Sequence, residues 1–520
     1  MKTYDLIIIG GGISGLYLAY KLYSNYKDIL LLEVSSELGG RIKTDTLQDF
    51  PVELGAARFS NNHTKLFKLI NELNLKDKCI QLPKKINHIY ENKKINFNSD
   101  KIKKIYNHKR SNKDLQKINL LQHCIDVFGQ EESYKIKDMY GYDGEFIKMN
   151  AYSAMKMFKK DLLDEKTNYY ILNGGLGQIV DSLEDHLKDN ITIKMNSLVT
   201  DITDNKIKYQ MNETNTTVKG KKIISTIPPI QINKIGLFKD LNILEKIQPI
   251  QLIRIYAKYP LNKNGKVWFD GIPRTITDNY IRHIIPIDYE NGIIMISYSD
   301  LYTADIWNNW SQLGEKVLTE KLHKEIKKLF NITPPKPIDY KIYYWKDGVH
   351  MWKVNTKMNE DYKKLLKPFD DKEIYLCNEG LSKHQCWIEG SLTMANDIIK
   401  KLNIQEGGRK KKNTIKKKKE YNIHQVLRRK SWIIFEYKGN KWIHKISSSW
   451  FNDHPGGRDH LNEGVKANSY YDKKNKDRSK ISPTKLFKSI GVHGTSKVFN
   501  EYIILEKYPG KIKCIGLLKK

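Results

Sequence analysis

The chain begins with two apolar runs separated by a helical repeat. Residues 4–9 are almost wholly apolar and rich in isoleucine, which predicts a buried strand. After the glycine-rich segment 10–15, apolar positions recur over residues 16–23 at the spacing of one helix face. A second apolar run, residues 29–32, ends at Glu33. The pattern predicts a strand, a glycine turn, a helix and a second strand that is followed by an acidic residue.

The predicted turn has the spacing of a dinucleotide-binding fingerprint. Gly10, Gly12 and Gly15 fit G-x-G-x-x-G, with Ser14 in the same turn. Such glycines allow a tight turn and a close approach of the backbone to a pyrophosphate, which the free N–H groups of the helix start then bind. Glu33 follows at about 20 residues, the distance at which a carboxylate accepts hydrogen bonds from a ribose hydroxyl. We therefore expect a bound dinucleotide, and this fingerprint alone does not separate NAD from FAD.

A second glycine motif, Gly39-Gly40-Arg41, follows the acidic residue. Together the two motifs resemble the flavin-dependent amine oxidase superfamily, in which this segment passes along the flavin side of FAD. The resemblance implies FAD as the cofactor, with Gly40 and Arg41 among its contacts. It also implies the fold class, which is an α/β, Rossmann-like FAD-binding domain of the glutathione-reductase type with an interleaved α+β substrate domain.

Two arginines are candidate catalytic residues by the same resemblance. Residues 52–59 are similar to the family segment that lies against the isoalloxazine ring, where Arg58 would hold a substrate carboxylate in a planar fork. The alternative is that Arg58 pairs with an internal carboxylate or with the flavin. Residues 251–256 are similar to the strand on which many members carry a lysine near flavin N5. Arg254 stands there instead, which implies slow reoxidation by oxygen.

Later segments match the family in part. Val199 matches a strand position whose backbone faces the adenine. Glu379 and Trp387 match the last FAD segment, and Trp387 is the third catalytic candidate. Asn378 and Cys386 stand where the family has glycines. No cysteine occupies the place where monoamine oxidases link their flavin covalently, so the resemblance implies non-covalent FAD.

The resemblance covers residues 1 to about 404 and sets the expected domain organisation. The FAD-binding domain is predicted to comprise residues 1–60, 166–250 and 366–404, and the substrate domain residues 61–165 and 251–365. Residues 405–420 contain glycines and a run of basic residues, and we interpret them as a basic flexible linker.

A second, smaller unit is predicted over residues 421–520 from a different motif. Two strand-like runs, 432–436 and 441–446, precede His454 in the sequence His-Pro-Gly-Gly. This order resembles cytochrome b5, a small α+β domain in which that histidine is one axial ligand of the iron of haem b. His493 best matches the second iron ligand, ahead of a predicted helix over 497–505. The alternatives for the second ligand are His444 and His460.

Composition bears on the partners and the cellular compartment of the protein and less on its chemistry. The net charge is +31, but basic residues are spread along the chain apart from one cluster at 409–419, so nucleic acid is an alternative partner and not the expected one. Five cysteines without a C-x-x-C pair fit a reducing compartment. We find no signal region, membrane span or C-terminal anchor, and expect a soluble cytoplasmic protein. The high usage of Lys, Asn and Ile resembles that of proteins from AT-rich genomes, including some large DNA viruses, and leaves packaging in a virion as an alternative.

The sequence thus predicts a FAD-dependent oxidoreductase of the amine oxidase type. Its substrate would be a small amine or amino acid, oxidised by hydride transfer to FAD. A fused cytochrome b5 domain would carry electrons to an unknown acceptor. The alternative reaction is a protoporphyrinogen-oxidase-like or desaturase-like oxidation of a C–C bond. The alternative from another class is a non-catalytic, basic scaffold protein.

Overall fold

The computed structural model describes residues 1–97, 100–161 and 166–402, with side chains for all of these except 159–161, and the backbone of four strands between 434 and 519. The chain divides into two compact units, Met1–Ile404 and Gln405–Lys520. No helix in the described ranges is long and apolar enough to cross a membrane.

The strands of the first unit belong to two large sheets and two small ones. In chain order they are β1 (Thr3–Ile9), β2 (Ile29–Leu32), β3 (Thr44–Leu47), β4 (Phe50–Glu53), β5 (Phe59–Ser60), β6 (Cys79–Gln81), β7 (Asn87–Tyr90), β8 (Lys93–Ile95), β9 (Tyr169–Leu172), β10 (Thr192–Lys194), β11 (Ser197–Thr203), β12 (Lys206–Met211), β13 (Thr214–Ser225), β14 (Ile247–Lys258), β15 (Thr275–Thr277), β16 (His283–Asp288), β17 (Ile293–Asp300), β18 (Asp339–Trp352) and β19 (Ile374–Leu376).

The helices of this unit cover the sheets or form a separate helical stretch. They are α1 (Ile13–Leu22), α2 (Thr64–Glu72), α3 (Asp100–Asn107), α4 (Asn112–Leu115), α5 (Leu120–Phe128), α6 (Gln130–Tyr140), α7 (Gly144–Ile147), α8 (Ala151–Asp161), α9 (Gly177–Leu187), α10 (Pro229–Ile232), α11 (Leu301–Gln312), α12 (Glu315–Phe330), α13 (Met358–Leu366) and α14 (Ile388–Lys401).

The first large sheet contains the β-α-β unit that the hydrophobic pattern predicts. Its parallel part has the order β10-β2-β1-β13-β19, and β13 also joins an antiparallel meander with β12 and β11. All four residues of β2 are buried, as expected for a parallel strand that is covered on both faces. Helices α1, α9 and α14 contribute to the same hydrophobic core. The predicted strand, glycine turn, helix and strand are confirmed.

The second large sheet has the order β18-β14-β17-β16-β15-β7-β8 and is antiparallel except between β15 and β7. Residues of α11 and α12, such as Trp307 and Leu322, pack against it. The chain enters this sheet in two stretches, β7–β8 and β14–β18, and returns to the first sheet at β19. The strand order is therefore interleaved between the two sheets, while the predicted bounds of the two domains stay predictions.

A helical stretch, α3 to α8, packs beside the second sheet. Phe146 and Phe158 share a core with Ile250 and Met351 of that sheet. Between α6 and α7 the chain turns at Gly141, which has a φ of +92°. This turn places Tyr142 next to the second sheet, where its ring contacts that of His283 in β16.

The described part of the second unit is a four-stranded antiparallel sheet of β20 (Ile434–Lys438), β21 (Lys441–Lys445), β22 (Glu501–Tyr508) and β23 (Lys511–Lys519). The strands predicted at 432–436 and 441–446 are confirmed with small shifts. The helix predicted over 497–505 is wrong, because its second half lies in β22. The run Tyr502-Ile503-Ile504 favours a strand. His454 and His493 fall between β21 and β22, and they lie outside the described residues, as does the 405–420 segment.

Candidate active site

The glycine turn between β1 and α1 has three different local requirements. Gly10 has a φ of +106°, a conformation that favours glycine. A Cβ on Gly15 would lie 2.0 Å from the carbonyl oxygen of Gly10, so helix and strand pack too closely for a side chain. Gly12 has an ordinary φ of −73°, and a Cβ there would meet no atom nearer than 3.9 Å. Protein packing therefore accounts for the first and third glycines and not for Gly12.

The start of α1 supplies N–H donors beside Gly12. The helix begins at Ile13 and Gly12 is its N-cap residue, without a capping side chain. The N–H groups of the first helical residues have no intrahelical acceptor. Ser14 is 4% exposed, and its hydroxyl bonds to the thiol of Cys377. The backbone N–H of Ser14 is one of the donors at the helix start.

Glu33 lies directly against this turn. Its Oε2 accepts a hydrogen bond from the N–H of Gly11 at 2.5 Å, and its Oε1 accepts from the N–H of Ser35 at 2.9 Å. The carbonyl oxygen of Glu33 accepts from the N–H of Ser197 at 2.7 Å. That bond brings the start of β11 to Glu33, and Val199 follows two residues later on the same strand. The two residues predicted for the adenosine end are therefore close together.

The second glycine motif packs onto the first. The N–H of Gly39 donates to the carbonyl of Gly11 at 2.9 Å, and a Cβ on Gly40 would lie 3.3 Å from the Cα of Gly12. Arg41 then forms an ion pair with Glu379, with 2.6 Å between Nη1 and Oε2. The motifs from the two ends of the family resemblance thus meet at one place.

Glu379 is a buried anion with several donors. Its Oε1 also accepts from the N–H of Cys386, and His350 lies near its carboxylate. Burial alone would raise the pKa of Glu379, but Arg41 and then His350 outweigh it and lower the pKa to about 2. Glu379 is therefore ionised at neutral pH and holds Arg41 in place.

The two residues that replace family glycines differ in their backbone. Asn378 has extended backbone with a φ of −152°, and its amide donates to the carbonyl of Thr226 at 2.8 Å. Any residue adopts that conformation, and Asn378 links two strand ends. Cys386 has a φ of +68°, which is the left-handed region that favours glycine. Of the two positions where the family has glycine, only that of Cys386 has a backbone conformation that favours glycine.

Arg58 lies in an aromatic environment and not in an ion pair. Its Nη2 donates to the hydroxyl of Tyr142 at 3.2 Å, and its guanidinium lies 5.2 Å from the ring centre of Tyr169. Among the described residues, no carboxylate lies within ion-pair distance of Arg58. The predicted alternative of an internal carboxylate partner is therefore not found in that part of the chain.

Arg254 approaches the same aromatic group from β14. Its Nη1 donates to the carbonyl oxygen of Glu53 at 2.8 Å, and its guanidinium lies 4.7 Å from the ring centre of Tyr298. The rings of Tyr298 and Tyr142 are 5.4 Å apart. Arg254 and Arg58 thus each contact one member of the same tyrosine pair, and Arg254 also contacts the end of β4.

Trp387 closes another side of this group. It precedes α14, and its ring stacks on Tyr169 with a centre distance of 6.1 Å and an interplanar angle of 22°. Tyr169 is also the ring beneath Arg58. The three predicted catalytic residues, Arg58, Arg254 and Trp387, are therefore brought together through Tyr142, Tyr169 and Tyr298.

Sequence reasoning missed several residues of this cluster. The ring of Tyr142 lies 4.5 Å from that of the fully buried His283, and Arg274 acts electrostatically on the same group. Tyr142 lies in a lysine-rich stretch without a motif, and Arg274 precedes a strand of three residues. The one usable signal is Gly141, where a Cβ would lie 2.5 Å from the His283 ring.

The residues at the glycine turn fit a dinucleotide. Gly12 leaves room for a pyrophosphate, the start of α1 directs N–H groups to that room, and Glu33 is beside it. These are the parts that such a ligand requires in this order. FAD is therefore compatible with the observed turn.

Comparison with known proteins identifies relatives of the first unit. Residues 13–396 match the family described as flavin containing amine oxidoreductase. Achacin of Lissachatina fulica is 40% identical over 81 residues, which are 15% of this chain and 15% of achacin. The chain thus spans a small part of the length of that relative.

Solved structures share the fold over a longer range. Putrescine oxidase in a complex with putrescine superposes with a TM-score of 0.62 at 14% identity, covering 78% of this chain and 99% of that one. A putative protoporphyrinogen oxidase from Exiguobacterium sp. 255-15 gives a TM-score of 0.59 at 16% identity, with 78% and 99% covered. At these identities the likeness concerns the fold alone. The family match spans most of the chain, and the protein therefore belongs to the flavin containing amine oxidoreductase family.

Proposed function

We propose that the protein is a FAD-dependent oxidoreductase that oxidises a small amine or amino acid. The observation that carries this proposal is Arg58, a cation within a cluster of tyrosines that has no carboxylate partner among the described residues. A guanidinium in that setting is suited to a substrate carboxylate. Family membership and the room at Gly12 support the flavin part of the proposal.

The cofactor would be held by residues from both ends of the first unit. The turn Gly10, Gly12 and Gly15 and the backbone N–H groups of Ile13 and Ser14 would hold the pyrophosphate. Glu33 would accept from the ribose, and the backbone of Val199 would face the adenine. Gly40 and Arg41 would pass along the flavin side, with Glu379 fixing Arg41. Bound FAD supplies the chemistry by accepting a hydride from the carbon next to the amine.

The three candidate catalytic residues would act by position and charge. Arg58 would orient the substrate through its carboxylate, and Trp387 would form an aromatic wall through its stacking on Tyr169. Arg254 would place a fixed positive charge where many members carry a lysine. In the family that lysine is tied to the reaction with oxygen. Because Arg254 replaces it and its Nη1 is bonded to the Glu53 carbonyl oxygen, we expect slow reaction with oxygen.

The Arg58→Ala variant tests the substrate assignment. Loss of a charge-assisted pair of about 1.5–3 kcal/mol should raise KM for amines that carry an α-carboxylate by roughly tenfold to hundredfold. KM for a carboxylate-free amine such as putrescine should change little. Steady-state kinetics on both substrate types measure the difference. The Arg110→Ala variant removes a surface arginine that pairs with Asp126 and serves as the matched control. An equal rise of KM for both substrate types in Arg58→Ala would refute the assignment.

We also propose that residues 421–520 form a cytochrome b5-like domain in which His454 and His493 bind the iron of haem b. The support is the sequence pattern, and the two histidines lie outside the described residues. His454 and His493 would hold the iron, and the haem would supply one-electron transfer. The segment 405–420 would join the two units in one chain, and the haem would take electrons that leave the flavin and pass them to an unidentified acceptor.

Reduction of the haem by substrate tests this second proposal. After anaerobic mixing of the full chain with an amine, reduced-haem bands should appear at a rate that does not depend on protein concentration, because transfer is within one molecule. The His454→Ala variant should lack the bands, whereas His460→Ala, a matched histidine six residues away in the sequence, should keep them. Haem that stays oxidised while the flavin is reduced would contradict the internal route.

A further inference from the structure

A second arginine, Arg274, is placed next to the Arg58 cluster, and it has no acceptor among the described residues. It immediately precedes β15, where its carbonyl oxygen accepts from the N–H of Asn87 at 2.9 Å. Its Nε is inaccessible to solvent and makes no hydrogen bond. None of the described residues accepts a hydrogen bond from its guanidinium or forms an ion pair with it. Buried donor groups are normally paired with an acceptor. The guanidinium of Arg274 is therefore a candidate donor to a bound ligand.

The fold brings the segment that contains Arg274 close to Arg58 through its neighbour on β15. In the pairing of β15 with β16, Ile276 is opposite His283. The ring of His283 lies 4.5 Å from that of Tyr142, and the hydroxyl of Tyr142 accepts from Arg58 at 3.2 Å. Burial, followed by the charge of Arg58, lowers the pKa of Arg274 to about 10. Both guanidinium groups are therefore charged at neutral pH and are close enough to repel each other.

The surroundings do not neutralise these two charges. Burial, followed by Arg274 and Arg58, holds the pKa of His283 well below its ordinary value, so that ring is neutral. Burial, followed by the charge of Asp300, raises the pKa of Glu145 to about 8, so that carboxyl group holds its proton at neutral pH. Two positive charges thus remain on two partly buried side chains, an arrangement that a bound anion would stabilise.

A neighbouring arginine shows how this fold satisfies a buried cation that has a structural role. Arg282 is 3% exposed and pairs with Asp143 at 2.9 Å and with Asp138 at 3.3 Å. Arg58 and Arg274 have no such carboxylates among the described residues. The difference indicates that the anions for Arg58 and Arg274 come from a ligand.

We propose that Arg58 and Arg274 bind two acid groups of one substrate, so that the preferred substrates are amines with two carboxylates, the class of acidic α-amino acids. This inference rests on the proposed function, because it assigns a substrate class to the same site. Arg58 takes the α-carboxylate and Arg274 the side-chain carboxylate. Arg274 is then a specificity residue of the site.

Equilibrium binding of unreactive acids tests the proposal without turnover. The flavin-loaded full chain is titrated calorimetrically with glutarate, which has two carboxylates, and with butanoate, which has one. The wild-type protein should bind glutarate about tenfold or more tightly than butanoate, as a second charge-assisted pair implies. Arg274→Ala should abolish this preference while leaving butanoate affinity within about twofold. Arg58→Ala should weaken both acids, and Arg110→Ala should change neither.

The outcomes separate this inference from the proposed function. Equal weakening of both acids in Arg274→Ala, or no weakening of either, would overturn the role of Arg274. Thermal unfolding shows whether the variant is folded, and Arg274→Gln, which removes the charge but keeps a longer polar side chain than alanine, should give the same loss of preference. A wild-type protein that prefers glutarate but turns over no amine would refute the proposed reaction and leave the two-anion site standing.

Discussion

The Gly12→Val variant is expected to fold normally and to purify with much less flavin than the wild-type protein. The backbone at Gly12, with φ of −73° and ψ of 177°, suits valine, and the nearest atom to an added Cβ is 3.9 Å away. The Cβ of the new side chain therefore meets no close contact within the protein. The added side chain enters the room in which the pyrophosphate would lie, and overpacking of about 1–3 kcal/mol weakens FAD roughly tenfold to hundredfold. The flavin-to-protein absorbance ratio and thermal unfolding measure the two effects separately.

Two other glycines serve as controls for this variant. Gly236 lies in another turn, and a Cβ there would be 3.8 Å from its nearest atom, so Gly236→Val should keep both fold and flavin. Gly15→Ala should destabilise the fold itself, since its Cβ would lie 2.0 Å from the Gly10 oxygen. Full flavin occupancy in Gly12→Val would show that the dinucleotide is not bound at this turn.

The second large effect is expected from Arg41→Ala. Glu379 is 5% exposed, and loss of Arg41 leaves a buried carboxylate without its main partner. Breaking a buried pair in this way destabilises a protein by about 3–5 kcal/mol. Denaturant unfolding at neutral pH measures the loss. Lys43→Ala is the matched control, because Lys43 pairs with the exposed Glu37 at 2.8 Å and surface pairs contribute only about 0–1 kcal/mol. Equal stability of the two variants would contradict the structural role of the Arg41 pair.

The same ion pair predicts a pH dependence of stability. The pKa of Glu379 is lowered from its ordinary value of 4.5 to about 2 in the folded protein. Its contribution is therefore fully present above 4.5 and is lost as the pH falls from there toward 2. Wild-type stability should decline over this range, and the decline should be smaller in Arg41→Ala. A parallel acid limb in both proteins would exclude Glu379 as its source.

Sequence reasoning succeeded where chemistry is local. Gly10, Gly12 and Gly15 lie in one turn, so their spacing is enough to predict strand, turn and helix together. Arg41 and Glu379 were predicted as separate motifs, but they are 338 residues apart, and their ion pair depends on the return of the chain through β19. Periodicity carries no information about such a contact.

The aromatic cluster shows the opposite limit. Arg58 was found because the family motif contains it, whereas Arg274 and Tyr142 come from two other chain segments that meet only in the folded unit. Neither residue lies in a recognisable pattern. In the second unit, the helix predicted over 497–505 is wrong, because the local preference of Tyr502-Ile503-Ile504 is for a strand and these residues lie in β22. The wrong helix is thus explained by local propensity, and the omission of Arg274 and Tyr142 by contacts between residues that are distant in the sequence.

Anaerobic reduction of the flavin tests the central claim most directly. The purified, flavin-loaded protein is mixed without oxygen with an acidic amino acid, a monocarboxylic amino acid, putrescine and a porphyrinogen, and the visible absorbance of the flavin is followed. Our account predicts bleaching by an amine that carries a carboxylate, faster than by putrescine, and none by the porphyrinogen. Flavin that stays oxidised with every amine and is bleached by the porphyrinogen alone would contradict it.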